Sequence, residues 1–486
     1  MTQPPLTTYQ QHHLRVTFEH HAAYLYRPMV KASEAHVVML AERDLIPAES
    51  AARMLRGLVT LRDDQPETFT YDGSVEDVYY TVEKRLAAAC GIPTSELNVQ
   101  LARSRNDLDA GVFRMVLRDQ LLRVLAAIGD AGAELLDRAD RYADVVVVGY
   151  THRRPAQPTS IGHVLAGYAE ALAGQAAAYA SLLAEMNRSP LGSCAFAGTD
   201  LDIDPARLAE LLGFDELVVN SYEAVVGADH LMRTAALNAQ SLATGARLAR
   251  TFMDWLSWEW VRTPEEFTQG SSIMPQKRNP VVLEHLVSMA GATAADAASV
   301  YNNVSAAWWE DSNNATTDVQ VRLWESNDRA YRFFALLGGL FQRLEPLRPP
   351  TNEAIVATGA TTTAAADALT RHGVPFRAAH SLVGRLFRAG APSTWTDAGV
   401  REAAEGAGTG ALSDGAVRDL VAAALRPELV LGRAQADGPG EAAVRAQVVQ
   451  IRSTLDNALA GAAALRHRLA DADKMLAAAV AERAAQ

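Results

Sequence analysis

Long tracts of the chain place apolar residues three and four positions apart, which is the spacing of one face of an α-helix. The pattern is clearest in residues 108–141, 159–187 and 222–258. Strand-like patterns are scarce. Residues 143–152 ("ADVVVVGYTH") are the best strand candidate, although their β-branched residues could also end a buried helix. The pattern therefore predicts an all-α protein whose long helices pack into bundles.

Clusters of glycine, proline and short polar residues interrupt the helical tracts and mark turns. They lie at residues 89–98, 188–205, 270–280, 344–353 and 405–415. These breaks predict three helical domains: an N-terminal domain (1–105), a central long-helix domain (106–355) with a functional loop near 266–280, and a small C-terminal domain (356–486). No strand precedes "GAGTGA" (406–411), so we interpret it as a linker rather than a phosphate-binding loop.

Composition excludes several classes of function for this chain of 486 residues. Its net charge of -12 argues against a nucleic-acid-binding protein, which would be basic. It has no run of about 18 apolar residues, so no membrane span is expected. Cys90 and Cys194 are too few for a disulfide framework, which favours a cytoplasmic protein. We expect its partners to be small molecules and copies of itself.

Two groups of metal-ligand residue types lack the spacing of a metal site. The polar N-terminal tract contains four histidines, which we interpret as solvated: His12, His13, His20 and His21. Three acidic residues are likewise interpreted as a solvated stretch: Glu310, Asp311 and Asp318. The sequence therefore predicts neither a metal nor a cofactor.

The stretch "GSSIMPQKRNP" (270–280) is too rich in glycine and proline to be helical. It could be a plain surface connection, but loops on rigid scaffolds often carry function. Backbone N–H groups in such a turn, together with the Lys277 ammonium, suit an anionic oxygen. Ser271 in such a site could lose its proton and act as a base.

The same stretch resembles the GSSxMPxKxNP signature of the fumarase/aspartase superfamily. Five further stretches agree with the superfamily in the same order along the chain: 74–86, 102–115, 149–172, 189–204 and 371–386. The resemblance covers nearly the whole chain and is strongest to the argininosuccinate lyase branch. It implies three helical domains and a homotetramer whose long central helices form one bundle. It also implies active sites that each combine segments of three subunits.

The reaction implied by the resemblance is β-elimination: a proton leaves the carbon next to a carboxylate, the carbon–nitrogen bond breaks, and fumarate is released. By the same resemblance Ser271 is the base, Lys277 and Asn279 bind a carboxylate, and His152 pairs with Glu284. Further residues would bind or support the succinyl part: Ser104, Arg105, Asn106, Thr151 and Gln157.

Each of these assignments has a structural alternative. Ser272 could be the base in place of Ser271. Ser104 or Asn106 could be a helix cap, and Arg105 an ordinary charge at a helix start. His152 could be a core histidine, which is also our interpretation of His36 and His163.

The departures from argininosuccinate lyase concern the part of the site that binds arginine. In "MVKASEAH" (29–36) Ser33 and His36 match, but Met29 replaces the acid expected to face a guanidinium. In the family's histidine-bearing D-x-H pattern, Tyr79 replaces the histidine.

A second departure lies in "YNNVSAAWWED" (301–311), where Tyr301 matches the family. Ala306 replaces a glutamine and Trp309 replaces a lysine, and no lysine occurs anywhere in 278–350. Each polar ligand group left unpaired would cost about 1–3 kcal/mol. Trp308 and Trp309 could hold an apolar or aromatic amine, or could be helix-core residues.

The sequence therefore predicts a carbon–nitrogen lyase that releases fumarate from an N-substituted aspartate whose amine is not arginine. The alternatives are a genuine argininosuccinate lyase, a non-catalytic relative, or an elimination with another nitrogen leaving group. Addition of an amine to fumarate is the reverse of the predicted reaction.

Overall fold

A computed structural model of the protein describes residues 6–405, 409 and 412–486. The stretch interpreted as a linker (406–411) lies outside the described residues apart from Thr409. Long helices make up most of the described chain and confirm the all-α prediction. Their bounds are α1 (Arg15–Glu42), α2 (Ala48–Leu61), α3 (Val78–Cys90), α4 (Arg105–Arg141), α5 (Ile161–Met186), α6 (Pro205–Leu211), α7 (Ser221–Val226), α8 (Asp229–Ser257), α9 (Val281–Ser305), α10 (Gln320–Gln342), α11 (Asn352–Ala357), α12 (Thr362–Arg371), α13 (Phe376–Ala389), α14 (Asp397–Ala404), α15 (Asp414–Ala424) and α16 (Glu441–Ala484). A π-helical turn (Gln10–Leu14) precedes α1, and short 3₁₀ turns cover Pro66–Thr68, Thr94–Glu96, Glu265–Phe267, Pro392–Thr394 and Pro427–Gly432.

The predicted strand forms one half of a hairpin. Strand β1 (Val146–Thr151) pairs antiparallel with β2 (Arg154–Ser160), with an irregularity between Gly149 and Tyr150. The other strands are two residues long: β3 (Arg188–Ser189), β4 (Glu216–Leu217), β5 (Val261–Arg262), β6 (Gln269–Gly270), β7 (Arg278–Asn279) and β8 (Glu345–Pro346). They pair β3 with β4, β5 with β8 and β6 with β7, and so fix connections between helices rather than build a sheet.

Helix α4 is at the centre of the bundle and packs against α1, α5, α10 and α16. Its neighbours approach closely where glycine replaces a side chain. A Cβ atom on Gly338 of α10 would lie 3.3 Å from the Ala131 Cα of α4. A Cβ atom on Gly132 of α4 would lie 2.7 Å from Leu455 of α16. A larger residue at Gly338 would press on the backbone of α4, whereas one at Gly132 would require the Leu455 side chain to move.

The described residues form two separate hydrophobic cores. The main core takes buried residues from α1–α6, α8–α11 and α16. The second core lies within α12–α15 and includes Leu369, Leu382, Val400 and Val421. The division at about 105 and 355 stays a prediction, but the packing places α16 with the long-helix bundle rather than with the small C-terminal part.

The N-terminal tract is helical, and its histidines do not share one environment. His12, His13 and His20 are exposed, as predicted. The prediction of a solvated His21 is wrong. Its ring is 6% exposed and meets Trp324 of α10 edge-on at 5.4 Å between centroids. Burial lowers the pKa of His21 to about 4, so it is a neutral core residue.

The structure of the described residues can be compared with what composition indicated about membrane spans, metal sites and cysteines. None of the helices described here is both long and apolar enough to cross a membrane. Among residues 6–405, 409 and 412–486, no three His, Cys, Asp or Glu side chains are placed to hold one metal ion. Cys90 and Cys194 are free and half-buried.

Candidate active site

Strands β6 and β7 close the predicted functional loop into a small hairpin, with Gln269 opposite Asn279 and Gly270 opposite Arg278. Within it, the Ser271 hydroxyl oxygen accepts hydrogen bonds from the backbone N–H groups of Ile273 (3.3 Å) and Met274 (3.0 Å). Two N–H dipoles that point at one oxygen stabilise negative charge on it. The loop therefore aims two hydrogen-bond donors at the Ser271 oxygen. No described residue makes such contacts with the Ser272 hydroxyl.

Two adjacent cations of the loop have different surroundings. Arg278 folds back on the loop, donating to the carbonyls of Pro275 (3.1 Å) and Lys277 (3.2 Å) and lying 3.6 Å from Glu265. The Lys277 side chain is exposed and has no ion-pair partner within the described part of the chain. Ile273, at the tip of the loop, is 83% exposed. An unpaired ammonium beside an exposed apolar tip is suited to contact a ligand and a second protein surface.

The β1–β2 hairpin presents Thr151 and His152 at its tip. His152 and Arg153 occupy the two-residue turn with φ angles of 50° and 63°, a conformation that favours Asn-Gly and strains other residues. The turn is held by Arg153, which donates to Asp254 of α8 at 2.8 Å. The His152 side chain is exposed, and within the described chain it does not pair with Glu284, which is exposed on the first turn of α9. If these two residues pair, they come from different subunits.

Residues Ser104, Arg105 and Asn106 lie where α4 begins. Ser104 is the N-cap and forms a capping box with Asp107. The Asp107 carboxylate also accepts from the backbone N–H groups of Gly192 and Cys194, both at 3.0 Å. It thereby holds the 188–205 loop against the start of α4. Burial raises the Asp107 pKa to about 6.

Arg105 and Asn106 have partners as well. Arg105 pairs with Asp77 at 2.9 Å and lies over the rings of Tyr79 and Tyr80. Asn106 donates its side-chain amide to the Ala195 carbonyl at 3.2 Å. Ser104, Arg105 and Asn106 all line a cavity of about 440 Å³. Ser104 is thus both a cap and a cavity residue, so its two interpretations are compatible.

The cavity beside Arg105 and the Ser271 loop lie at opposite ends of the helix bundle in one chain. Arg105 and Gln320, at the starts of α4 and α10, share one cavity. At the other end, the Tyr142 hydroxyl donates to the Leu344 carbonyl at 2.9 Å, and Arg343 lies 3.6 Å from Glu266 at the base of the loop. The 37 residues of α4 separate the ends by about 55 Å. A single chain therefore cannot bring Arg105 and Ser271 to one substrate.

The amine-side candidates divide into two pairs. Met29 and Tyr79 are buried and line a second cavity of about 70 Å³, which adjoins the larger one. Ala306 follows the end of α9 and is exposed, and Trp309 is 66% exposed. Trp308 is 78% exposed, so neither tryptophan is a helix-core residue of this chain.

The remaining predicted residues lie apart from one another. Ser33 is buried and accepts from Arg103 at 3.2 Å, and so supports a wall of the larger cavity. Tyr301 is exposed near the end of α9. Gln157 of β2 lines a different cavity, beside the C-terminal helices. His36 is a core histidine whose Nε2 contacts the Leu101 carbonyl at 2.8 Å. His163 is half-buried, with its Nδ1 at 2.9 Å from Thr159.

The sequence reasoning missed four ionisable residues of the larger cavity: Arg103, Asp109, Arg114 and His230. Asp311 is exposed, as interpreted, but it also lines this cavity. Burial lowers the pKa of Arg114 to about 10, and within the described part of the chain its guanidinium donates only to the Ala110 carbonyl of its own helix. Burial also lowers the pKa of His230 well below its ordinary value. The four-residue spacing of Arg105 and Asp109 was the available signal, since both share one face of α4.

Comparisons with known proteins identify relatives of the chain in sequence and in fold. A family model described as "Lyase" matches residues 3–294, and one described as "Argininosuccinate lyase C-terminal" matches residues 359–399. Argininosuccinate lyase of Natronomonas pharaonis is 36% identical over 397 residues, covering 81% of this chain and 78% of that protein. The crystal structure of EDDS lyase with formate is similar at a TM-score of 0.84 and 29% identity, over 100% of this chain and 97% of that one. An EDDS lyase variant with bound fumarate gives a TM-score of 0.84 at 30% identity, over 98% and 95% of the two chains.

Proposed function

Because this chain belongs to the argininosuccinate-lyase-like branch of the fumarase/aspartase superfamily of fumarate-releasing carbon–nitrogen lyases, we propose that its substrate is an N-substituted aspartate whose amine is not arginine. The observation that carries the catalytic part is the Ser271 hydroxyl, which two backbone N–H groups contact beside the unpaired Lys277 ammonium. A non-catalytic relative would have no need to keep this arrangement.

In the proposed reaction, Ser271 takes the proton from the carbon next to a carboxylate. The electron pair forms a doubly charged aci-carboxylate, which the donors of Lys277 and Asn279 stabilise. The carbon–nitrogen bond then breaks, the electrons form the double bond of fumarate, and the amine leaves after its nitrogen gains a proton. Each site combines the Ser271 loop of one subunit with the Arg105 and His152 segments of others, in a homotetramer.

The proposal that the amine is not arginine rests on the residues that would surround the amine half of the substrate. The buried Met29 side chain lines the smaller cavity, at the position where the family has an acid. An apolar thioether cannot form the ion pair that a carboxylate at this position would form with a guanidinium, and the loss of that one interaction costs about 1–3 kcal/mol.

We therefore expect argininosuccinate to be a poor substrate. Its kcat/KM should lie at least about 100-fold below that of the best N-substituted aspartate in a panel, since loss of the acid replaced by Met29 and of the lysine replaced by Trp309 accounts for that factor. Fumarate release, followed by ultraviolet absorbance, measures both. Turnover of argininosuccinate at about 1–10 per second would instead identify a genuine argininosuccinate lyase.

Replacing Lys277 by methionine should weaken fumarate as a product inhibitor by about 10-fold or more, because a charge-assisted hydrogen bond to a carboxylate is lost. Inhibition constants for fumarate give the comparison. Arg278→Met is the matched control, since Arg278 is engaged with the loop itself. Unchanged fumarate affinity in the Lys277 variant would contradict its role in carboxylate binding.

A further inference from the structure

Two adjoining cavities at the start of α4 differ in charge: the larger is the more basic and the smaller is acidic. The larger is lined by three arginines and two aspartates: Arg103, Arg105, Arg114, Asp109 and Asp311. The smaller is lined by four acidic residues and one arginine: Glu76, Asp77, Asp109, Asp318 and Arg105. A ligand that spans both would therefore be anionic at one end and cationic at the other.

Asp109 lies where the two cavities meet. It is one helical turn beyond Arg105 on α4 and lines both cavities. Its Oδ1 atom is buried and has no hydrogen-bond partner among the described residues. The nearby Arg105 guanidinium is already paired with Asp77. Burial raises the Asp109 pKa to about 7, which shows that the chain leaves this carboxylate poorly compensated.

The smaller cavity has the volume and an apolar wall for a short aliphatic group. Its apolar wall is formed by Leu25, Met29, Val78 and Phe113, and its volume is about 70 Å³. That is the space of two or three water molecules. A chain of a few methylene groups fits such a space, and its end would lie among carboxylates.

We propose that Asp109 is a specificity-determining residue that binds a second, protonated nitrogen in the amine half of the substrate. The substrate class is then N-(aminoalkyl)aspartates, with the succinyl end in the cationic cavity and the alkylammonium in the acidic one. This inference rests on the proposed function and adds the chemistry of the amine. An ammonium group opposite Asp109 supplies the hydrogen-bond donor and the positive charge that the described residues do not provide to this carboxylate.

The test compares N-(3-aminopropyl)aspartate with N-butylaspartate, which has the same chain length but ends in a methyl group. Fumarate release gives kcat/KM for both substrates with the wild-type enzyme, Asp109→Asn and Asp130→Asn. Asp130 is an exposed aspartate of the same helix, remote from both cavities, and serves as the matched control. The wild type should prefer the aminopropyl compound by about 10- to 100-fold. Asp109→Asn should lose that preference, and Asp130→Asn should keep it.

The wild-type comparison tests the inference even if Asp109→Asn does not fold. Equal kcat/KM for the two compounds in the wild type, or an unchanged preference in Asp109→Asn, overturns the role of Asp109 and leaves the proposed function standing. If no N-substituted aspartate in the panel releases fumarate, the proposed function fails and the inference fails with it.

Discussion

Replacing Ser271 by alanine is expected to lower kcat about 10³-fold, which is within the range for loss of a general base. The variant removes the one hydroxyl of the loop whose oxygen accepts hydrogen bonds from two backbone N–H groups. The carbon acid is weak, so water has little capacity to replace a positioned alkoxide. Fumarate release at saturating substrate measures kcat directly.

The matched control for this experiment is Ser272→Ala, which changes the neighbouring residue of the same exposed loop. It should retain activity within about 10-fold of the wild type, since no described residue organises its hydroxyl as an anion. Thermal melting and sedimentation should match the wild type for both variants, because the hydrogen bonds lost from Ser271 lie in an exposed turn rather than in a core. If Ser272→Ala is the inactive variant, the base is Ser272.

Much of the fold followed from local rules. The periodic tract at 108–141 lies within α4, because burial of one helix face requires apolar residues three and four positions apart. The strand candidate at 143–152 contains β1. The start of α4 was also readable, since "SRND" supplies both members of a capping box. Similarly, the Gly/Pro content of 270–280 excluded a helix, and the stretch forms a short hairpin.

What the sequence did not predict depends on contacts between distant segments. His21 belongs to a polar tract, yet it is buried because Trp324, some 300 residues later, packs on it. The four-residue spacing of Arg105 and Asp109 is typical of an exposed ion pair. Only the fold shows that Arg105 pairs with Asp77 and that the Asp109 Oδ1 atom has no hydrogen-bond partner among the described residues. Local patterns do not encode such competition for a partner.

The second large expected effect, recovery of activity when two inactive variants are mixed, follows from the length of the helix bundle. Because α4, about 55 Å long, separates the Arg105 end of the bundle from the base of the Ser271 loop, a site that uses both residues would take them from different subunits. Arg105→Met and Ser271→Ala are each expected to be inactive alone. Co-expressed in equal amounts, they should form mixed tetramers in which roughly a quarter of the sites combine an intact Arg105 with an intact Ser271. We therefore expect about a quarter of wild-type activity from the mixture.

The control pairs Ser271→Ala with Lys277→Met, two changes in one loop. Both residues reach any given site from the same subunit, so a mixed tetramer contains no site in which both are intact, and activity should not rise above that of the variants alone. Recovery in the first mixture with none in the second locates the substrate between subunits. An absence of recovery in the first mixture, with mixed tetramers verified by two affinity tags, would place Arg105 and Ser271 in separate sites. That outcome would also mean that the two cavities beside Arg105 take no part in the reaction at Ser271.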